Sequence, residues 1–336
     1  MIDTIKISTE KFKIGDYDLF VLDKTNKSLK GLMEMLKLYP NVMYSIKAHL
    51  KEINDGKYRP RIEYVYPLYR NPTIYIEFSI PKLLFGQNLS EVTEKNDINV
   101  VNKLITILKD LNITVTEDAI NNAFVKRVDF SKNYELKDDL TCKDVLSLLS
   151  KVSYPRMKLH VIKEEEYIKF YNKSMALLFY DKQKELKKHN SKLPTNYEQD
   201  IPILRIEIQI KGKNILDKLT EHNTFKEIFS EQLFKHVFYK YLMKLNKCIP
   251  DTFTNEKELT DLYKGKTNEL SNKMVIFSAQ EKYDNYNEAI QHLTKIYPKY
   301  FLKRYNCILI KKEGLKFILL KFLEEIKDYT PLFNSS

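Results

Sequence analysis

The sequence predicts an α+β fold: a mainly antiparallel sheet with helices packed on one face, followed by a helical C-terminal part. Three observations predict it. Strand-like and helix-like segments alternate over the first two-thirds of the chain. Two apolar alternations, Met43 to Ile53 and Tyr58 to Tyr66, are joined by Asn54-Asp55-Gly56-Lys57, and Asp-Gly between such runs is a strong hairpin signal. From Ile215 onward helical spacing dominates. The expected division is 1–215 for the α+β domain and 216–336 for the helical one.

Each element follows from its own spacing. Ile5 to Ser8 opens the chain as a short strand. Ser28 to Leu38 reads as a helix, because Leu29, Leu32, Met33 and Leu36 recur three and four apart. Thr73 to Ile80 alternates as a strand and is stopped by Pro81. Asp97 to Leu111 is amphipathic, with Val100, Val101, Leu104, Ile107 and Leu108 on one stripe. A short helix at Glu117–Asn122, a strand at Ala123–Phe130 and a helix at Leu140–Lys151 follow. Strand-like runs come next at Lys158–Ile162, Tyr167–Tyr171, Met175–Tyr180 and Leu204–Ile210. The C-terminal part contains helical patterns at Phe229–Leu245 and Leu315–Ile326. No internal repeat is legible.

Length and composition bound the function. A chain of 336 residues can bury a sizeable core without a disulfide or metal staple. With 41 aromatic residues, 23 Tyr and 18 Phe, it is not a disordered chain. Lys and Arg number 56 against 45 Asp and Glu, and that surplus favours a polyanionic partner, nucleic acid or an anionic membrane surface. No apolar run approaches the roughly 20 residues of a spanning helix, and Met1–Lys6 lacks the pattern of a signal peptide. Cys142, Cys248 and Cys307 lie far apart without a CxxC, which suits a reducing cytoplasm and argues against a zinc site. P-loop, GxGxxG, GxSxG and His-x-His patterns are all absent.

Candidate chemistry sits on the strands. Side chains alternate along a strand, so Glu77 shares a face with Tyr75 and Ser79, Asp129 with Arg127, and Glu207 with Arg205 and Gln209. Each set alone is equally the wet face of a half-buried strand carrying ordinary ion pairs. Three carboxylates in one sheet repel unless a cation lies between them, and an all-oxygen site suits Mg²⁺ or Mn²⁺. Tyr171 and Tyr180 each stand two residues before a lysine, Lys173 and Lys182. A lysine ammonium beside a phenol stabilises phenolate or a bound phosphate. Asp181 to Lys192 then carries Lys182, Lys184, Lys187, Lys188 and Lys192, either a solvated helix face or a path for a phosphate backbone.

Taken in order, these segments resemble the gene II protein family of filamentous-phage replication initiators and related phage and plasmid rolling-circle initiators. The resemblance rests on Met1-Ile2-Asp3, on Ile76-Glu77-Phe78-Ser79-Ile80-Pro81-Lys82 with its Gly86-Gln87-Asn88 turn, and on Arg127-Val128-Asp129. It rests also on Tyr180-Asp181-Lys182 through Glu185-Leu186 and on Leu204-Arg205-Ile206-Glu207. It covers roughly residues 1 to 220.

The resemblance implies a DNA-nicking endonuclease and strand transferase that starts rolling-circle replication in the host cytoplasm. Tyr180 is then the nucleophile, assisted by Lys182. Glu77, Asp129 and Glu207 are the candidate ligands of Mg²⁺ or Mn²⁺. Lys184, Lys187, Lys188, Arg127 and Arg205 are the candidate DNA contacts, and Tyr171 is a candidate second tyrosine. The implied partners are origin DNA, single-stranded or hairpin at the nick, with a host helicase and polymerase, and no membrane. Attack by tyrosine leaves a 5′-phosphotyrosine and a 3′-hydroxyl primer, and the covalent link permits rejoining without ATP. Two rival readings use the same residues differently: a non-catalytic DNA-binding protein, and a metal-dependent nuclease that uses water and leaves no adduct.

Overall fold

The computed structural model describes residues 1–23, 25, 27–38, 45–67, 70–136, 141–162, 166–188 and 201–248, with Leu319, Phe322, Leu323 and Ile326. In chain order the elements are β1 (Ile2–Thr9), β2 (Lys13–Ile14), β3 (Phe20–Leu22), α1 (Leu29–Leu38), β4 (Ile46–Leu50), β5 (Arg61–Tyr66), β6 (Thr73–Ser79), α2 (Ile80–Phe85), α3 (Asp97–Asp110) and β7 (Ile113–Thr114). Then come α4 (Glu117–Asn121), β8 (Phe124–Glu135), α5 (Cys142–Leu149), β9 (Lys158–Ile162), β10 (Tyr167–Tyr171), β11 (Met175–Asp181), α6 (Lys182–Lys188), β12 (Ile203–Ile210), α7 (Lys213–Leu216), α8 (Phe225–Ile228) and α9 (Glu231–Asn246).

Ten strands form one sheet in the order β3-β4-β5-β6-β1-β8-β12-β11-β10-β9, and each neighbouring pair in it is antiparallel. The Asp-Gly hairpin is present: β4 pairs β5 with His49 opposite Glu63, and Gly56 adopts φ +70° in the connection. Strand β6 alternates buried and half-buried residues along its whole length, as an antiparallel strand with one face on a core should. The apolar face carries Ile5, Ile7, Ile76, Phe78, Phe130, Phe170, Ile206 and Ile208, all essentially buried.

Helices cover that face. Val100, Val101, Leu104 and Leu108 of α3 enter the core as the stripe predicts. Phe225 of α8 packs on Phe78, with ring centroids 6.4 Å apart, and Phe234 of α9 packs on Phe130 at 6.4 Å. Residues on both sides of position 215 therefore share this core. Of the expected helix at Leu315–Ile326, the four described residues are helical and buried, and Phe322 stacks on Tyr134 at 3.9 Å. The rest of that segment, with Cys307, lies outside the described residues.

The other face is polar, and one end of it is covered. Pro81 ends β6 and starts α2, where Ser79 caps the helix by accepting from the Lys82 amide. Gly86 closes α2 in the left-handed region at φ +75°, a conformation that favours glycine. The chain then runs over the polar face, where Leu89 meets Leu186 of α6 and Ile203 of β12 in a small second core. Helix α6 is thus an exception to the expectation of helices on one face only: Ile203 alternates with Leu204, whose side chain belongs to the main core.

Candidate active site

The covered end of the polar face holds most of the residues singled out from the sequence. Register places Tyr180 of β11 opposite Arg205 of β12, and Arg205 opposite Asn133 of β8. One step along, Glu207 lies opposite Ser131, and one further step puts Gln209 opposite Asp129. Residues directly opposite across antiparallel strands project to the same side, so these side chains form a connected patch.

Its centre is a tyrosine–carboxylate pair. The Tyr180 hydroxyl donates to Glu207 Oε1 at 2.5 Å. Arg205 Nε donates to the same oxygen at 2.9 Å. Arg205 is 2% exposed, and its remaining donors reach Asp3 Oδ1 at 2.5 Å, Ser131 Oγ at 3.1 Å, Asn133 Oδ1 at 3.3 Å and the Asn88 carbonyl at 2.8 Å. This guanidinium is a buttress: it fixes Glu207 and ties the Gly86-Gln87-Asn88 turn to the sheet. The expected role of Arg205 as a DNA contact is corrected accordingly, because its donors point at protein acceptors inside the fold.

Electrostatics follows from this burial. Burial and the Glu207 charge hold the Tyr180 phenol well above its usual 10, with Arg205 opposing. The phenol is therefore neutral at pH 7 and bonded to Glu207. Lys182 has no exposed surface, bonds Glu185 Oε2 at 2.7 Å and stands 5.9 Å from the Tyr180 ring centroid. Burial, reinforced by Arg205, lowers its ammonium to about 8. It therefore lies over the ring rather than bonding the phenol oxygen.

The three expected metal ligands are not gathered into a cage. Arg127 lies between two of them, donating to Glu77 Oε1 at 3.2 Å and to both Asp129 oxygens, at 2.9 and 2.5 Å. Register agrees, since Glu77 stands opposite Lys6, and Lys6 opposite Arg127, with β1 separating β6 from β8. Among the described residues no three His, Cys, Asp or Glu side chains are grouped to hold a metal ion. Asp129, Glu207 and Asp3 nevertheless act on one another. Burial raises the Asp129 carboxyl to about 7 against the pull of Arg127, and the Glu207 and Asp3 charges push it the same way.

Asp3 is a site residue that strand alternation misses. Parity assigns it to the apolar face with Ile5 and Ile7, but a register shift between Ile2 and Thr4 redirects it toward Arg205. Tyr167 is the second omission: it stands opposite Tyr180 with ring centroids 6.0 Å apart. Tyr171, the expected second tyrosine, stands opposite Ala176 at the far end of the hairpin. Of the candidate DNA-contacting lysines, Lys184 and Lys188 flank Glu166 at 3.4 and 2.7 Å on an exposed surface, and Lys187 is exposed beside them. Lys192 lies outside the described residues.

The family model for the N-terminal part of the phage gene II product, a replication-associated protein, matches residues 43–233. The chain belongs to the gene II protein family. That membership carries the coarse function of a phage-type rolling-circle replication initiator, one that binds origin DNA. The matched span includes Glu77, Asp129, Tyr180 and Glu207. No curated protein matches the chain. Among solved structures, the di-domain ARO/CYC StfQ from the steffimycin biosynthetic pathway is similar at 9% identity and a TM-score of 0.21, over 61% of this chain and 72% of that one. Among the described residues no helix is long and apolar enough to cross a membrane.

Proposed function

We propose that this gene II family member is the nicking and rejoining enzyme of rolling-circle replication, with Tyr180 as nucleophile and Glu207 as its general base. The observation that carries the reading is the 2.5 Å bond from the Tyr180 hydroxyl to a carboxylate that Arg205 holds from the other side. Nucleophile, base and orienting group in one chain of contacts is the usual arrangement for activating a weak nucleophile. As Tyr180 Oη attacks phosphorus, its proton passes to Glu207, the bond from phosphorus to the 3′-oxygen breaks, and the leaving oxygen takes that proton from Glu207, so that a 5′-phosphotyrosine and a 3′-hydroxyl result. Glu207 is thereby free to accept a proton again, and the same exchange runs in reverse when the strand is rejoined.

A divalent cation, Mg²⁺ or Mn²⁺, fits the chemistry of this patch. The buried carboxylates Asp129 and Glu207 are hard oxygen donors, and Mg²⁺ commonly takes one or two carboxylates and completes its shell with water and phosphate. When bound, such an ion supplies charge withdrawal from the phosphodiester oxygens. Host helicase and polymerase are proposed as later partners at the 3′-hydroxyl.

The test is covalent capture. The protein is incubated with a labelled single strand bearing an origin-type site and Mn²⁺, then denatured. A protein–DNA adduct mapped to Tyr180 supports the reading. Cleavage without adduct favours the water-using nuclease, and binding without cleavage favours the non-catalytic protein.

A further inference from the structure

We infer that Tyr167 is a second nucleophile of this site, the one that takes the regenerated strand when a replicated circle is closed. The inference rests on Tyr180 being the first. Closing a circle needs a second attack on a phosphodiester while Tyr180 is still esterified. That attack must occur within reach of the same strand ends, and it needs a group whose proton has somewhere to go.

Tyr167 meets these requirements. It lies on β10 directly opposite Tyr180 on β11, so both side chains leave the same face. The ring centroids are 6.0 Å apart and the ring planes are inclined by 33°. Tyr167 is half-buried, which leaves part of it open to a substrate. Glu207 acts on both phenols: burial raises Tyr167 to about 12, and the Glu207 charge adds to that shift. Tyr171 fails on position. It lies four residues further along β10, about 13 Å at the usual strand rise, and its ring sits beneath the Lys169 ammonium at 5.6 Å.

The sequence of bonds balances. Tyr167 Oη attacks phosphorus at the regenerated junction and gives its proton to Glu207. A bond from Tyr167 oxygen to phosphorus forms as the phosphorus–O3′ bond breaks. The freed 3′-oxygen attacks the phosphotyrosine at Tyr180, forming a phosphodiester and releasing the Tyr180 oxygen, which recovers the proton from Glu207. One tyrosine ester is exchanged for another, so no external energy source enters.

Two oligonucleotides of different length, each bearing the origin-type site, test this. The full-length protein is loaded with the first, the second is added, and joined product per nick is measured. The peptide linked to the second strand is identified by mass spectrometry. In the unaltered protein the second strand is expected on the peptide containing Tyr167. Tyr167→Phe keeps the ring and its packing, and should lower joined product per nick at least tenfold, whereas Tyr171→Phe should match the unaltered protein. Joined product per nick within twofold of normal in Tyr167→Phe overturns the inference, as does a second strand that maps to Tyr180 or Tyr171. Failure of the first strand to form any adduct overturns the Tyr180 reading and this inference with it, so the two failures are distinguishable.

Discussion

The two halves of the sheet share most of a connectivity and differ in what fills it. In the first, β1 leads through the edge strand β3 and then α1 to the meander β4-β5-β6, with β3 pairing β4, and β6 returns to pair with β1. In the second, β8 leads through α5 to the meander β9-β10-β11-β12, and β12 returns to pair with β8. Central strands β1 and β8 join them. The returning strands read Ile76-Glu77-Phe78-Ser79-Ile80 and Ile206-Glu207-Ile208-Gln209-Ile210, so Glu77 and Glu207 hold matching places. At the place of Arg205 the first half has Tyr75, and at the place of Tyr180 it has Glu63.

That exchange of residues changes the character of the surface. Glu63 holds Lys6 at 3.2 Å and Lys47 at 3.1 Å, and Asp23 holds Lys47 at 3.3 Å and His49 at 2.8 Å, all with partly exposed side chains. Surface pairs of this kind contribute little to stability. The matching region of the second half is sealed by α6 and the Gly86–Val92 segment, and its charges are held by many bonds. One frame thus carries an ordinary solvated face and a candidate active site, and the difference lies in a few positions on β5, β6, β11 and β12.

The largest expected effect tests this asymmetry directly. Tyr180→Phe should remove the first covalent adduct and lower strand cleavage by about 10³-fold or more, the order of loss that follows removal of a nucleophile. Glu63→Gln, at the matching place, should leave both within about threefold. Next, Glu207→Gln should lower the cleavage rate by about 10²- to 10⁴-fold, the range of a lost general base, while Glu77→Gln should cost far less. Rates from a denaturing gel under single-turnover conditions read all four variants. Equal losses for Glu77→Gln and Glu207→Gln would show that the site spans both halves.

How legible was this in the sequence? Element types were: the hairpin at Asp55-Gly56, the stripe of α3 and each strand from Lys158 to Ile210 follow from local spacing that the tertiary fold reinforces. Tyr180, Lys182 and Glu207 stood out as polar residues on or beside apolar strands, but their expected roles as nucleophile, its assistant and metal ligand came from the family resemblance, and the Tyr180–Glu207 bond was not foreseen. Three further things were not. Asp3 was hidden by a bulge that breaks period-two counting. Pairing of Tyr167 with Tyr180 depends on which strands become neighbours, a long-range choice that local pattern does not encode. The buttressing role of Arg205 and the place of Arg127 between Glu77 and Asp129 depend on burial, and an Arg/Glu or Arg/Asp alternation looks the same whether its face is wet or dry. The matched connectivity of the halves is likewise invisible, because only the returning strands keep similar residues.

Stability sharpens the comparison further. Arg205→Met leaves Asp3 and Glu207 buried without their partner and should cost about 3–5 kcal/mol. Lys6→Met, in the first half, should cost about 1 kcal/mol or less. Urea denaturation at pH 7 measures both. Asp129 adds a pH signature. Its carboxyl rises from 3.8 unfolded to about 7 folded, so its ionisation opposes folding. The associated stability is present below about pH 4 and is lost as pH rises through 7. Asp129→Asn should therefore gain on the unaltered protein between about pH 4 and pH 7, by about 4 kcal/mol at most at 1.36 kcal/mol per unit. A gap that does not change with pH would mean that Arg127 fully compensates this charge.

The smallest effect concerns the route of DNA rather than the chemistry. Lys184, Lys187 and Lys188 project from α6, beside the strand that carries Tyr180, and two of them flank Glu166. An exposed ion pair yields readily to a phosphate, because both partners remain hydrated and the pair contributes little. Each phosphate contact to a single strand adds about 0.7 to the slope of log affinity against log salt. Replacing all three lysines by Gln should lower that slope by about 2 and weaken binding with little regard to sequence. Replacing Lys6 and Lys47 by Gln in the other half should leave the slope within about 0.5, since Glu63 and Asp23 already balance those charges. A fall in slope from the first-half pair instead would place the DNA across the solvated face, and the strand would then enter the site over β1 rather than along α6.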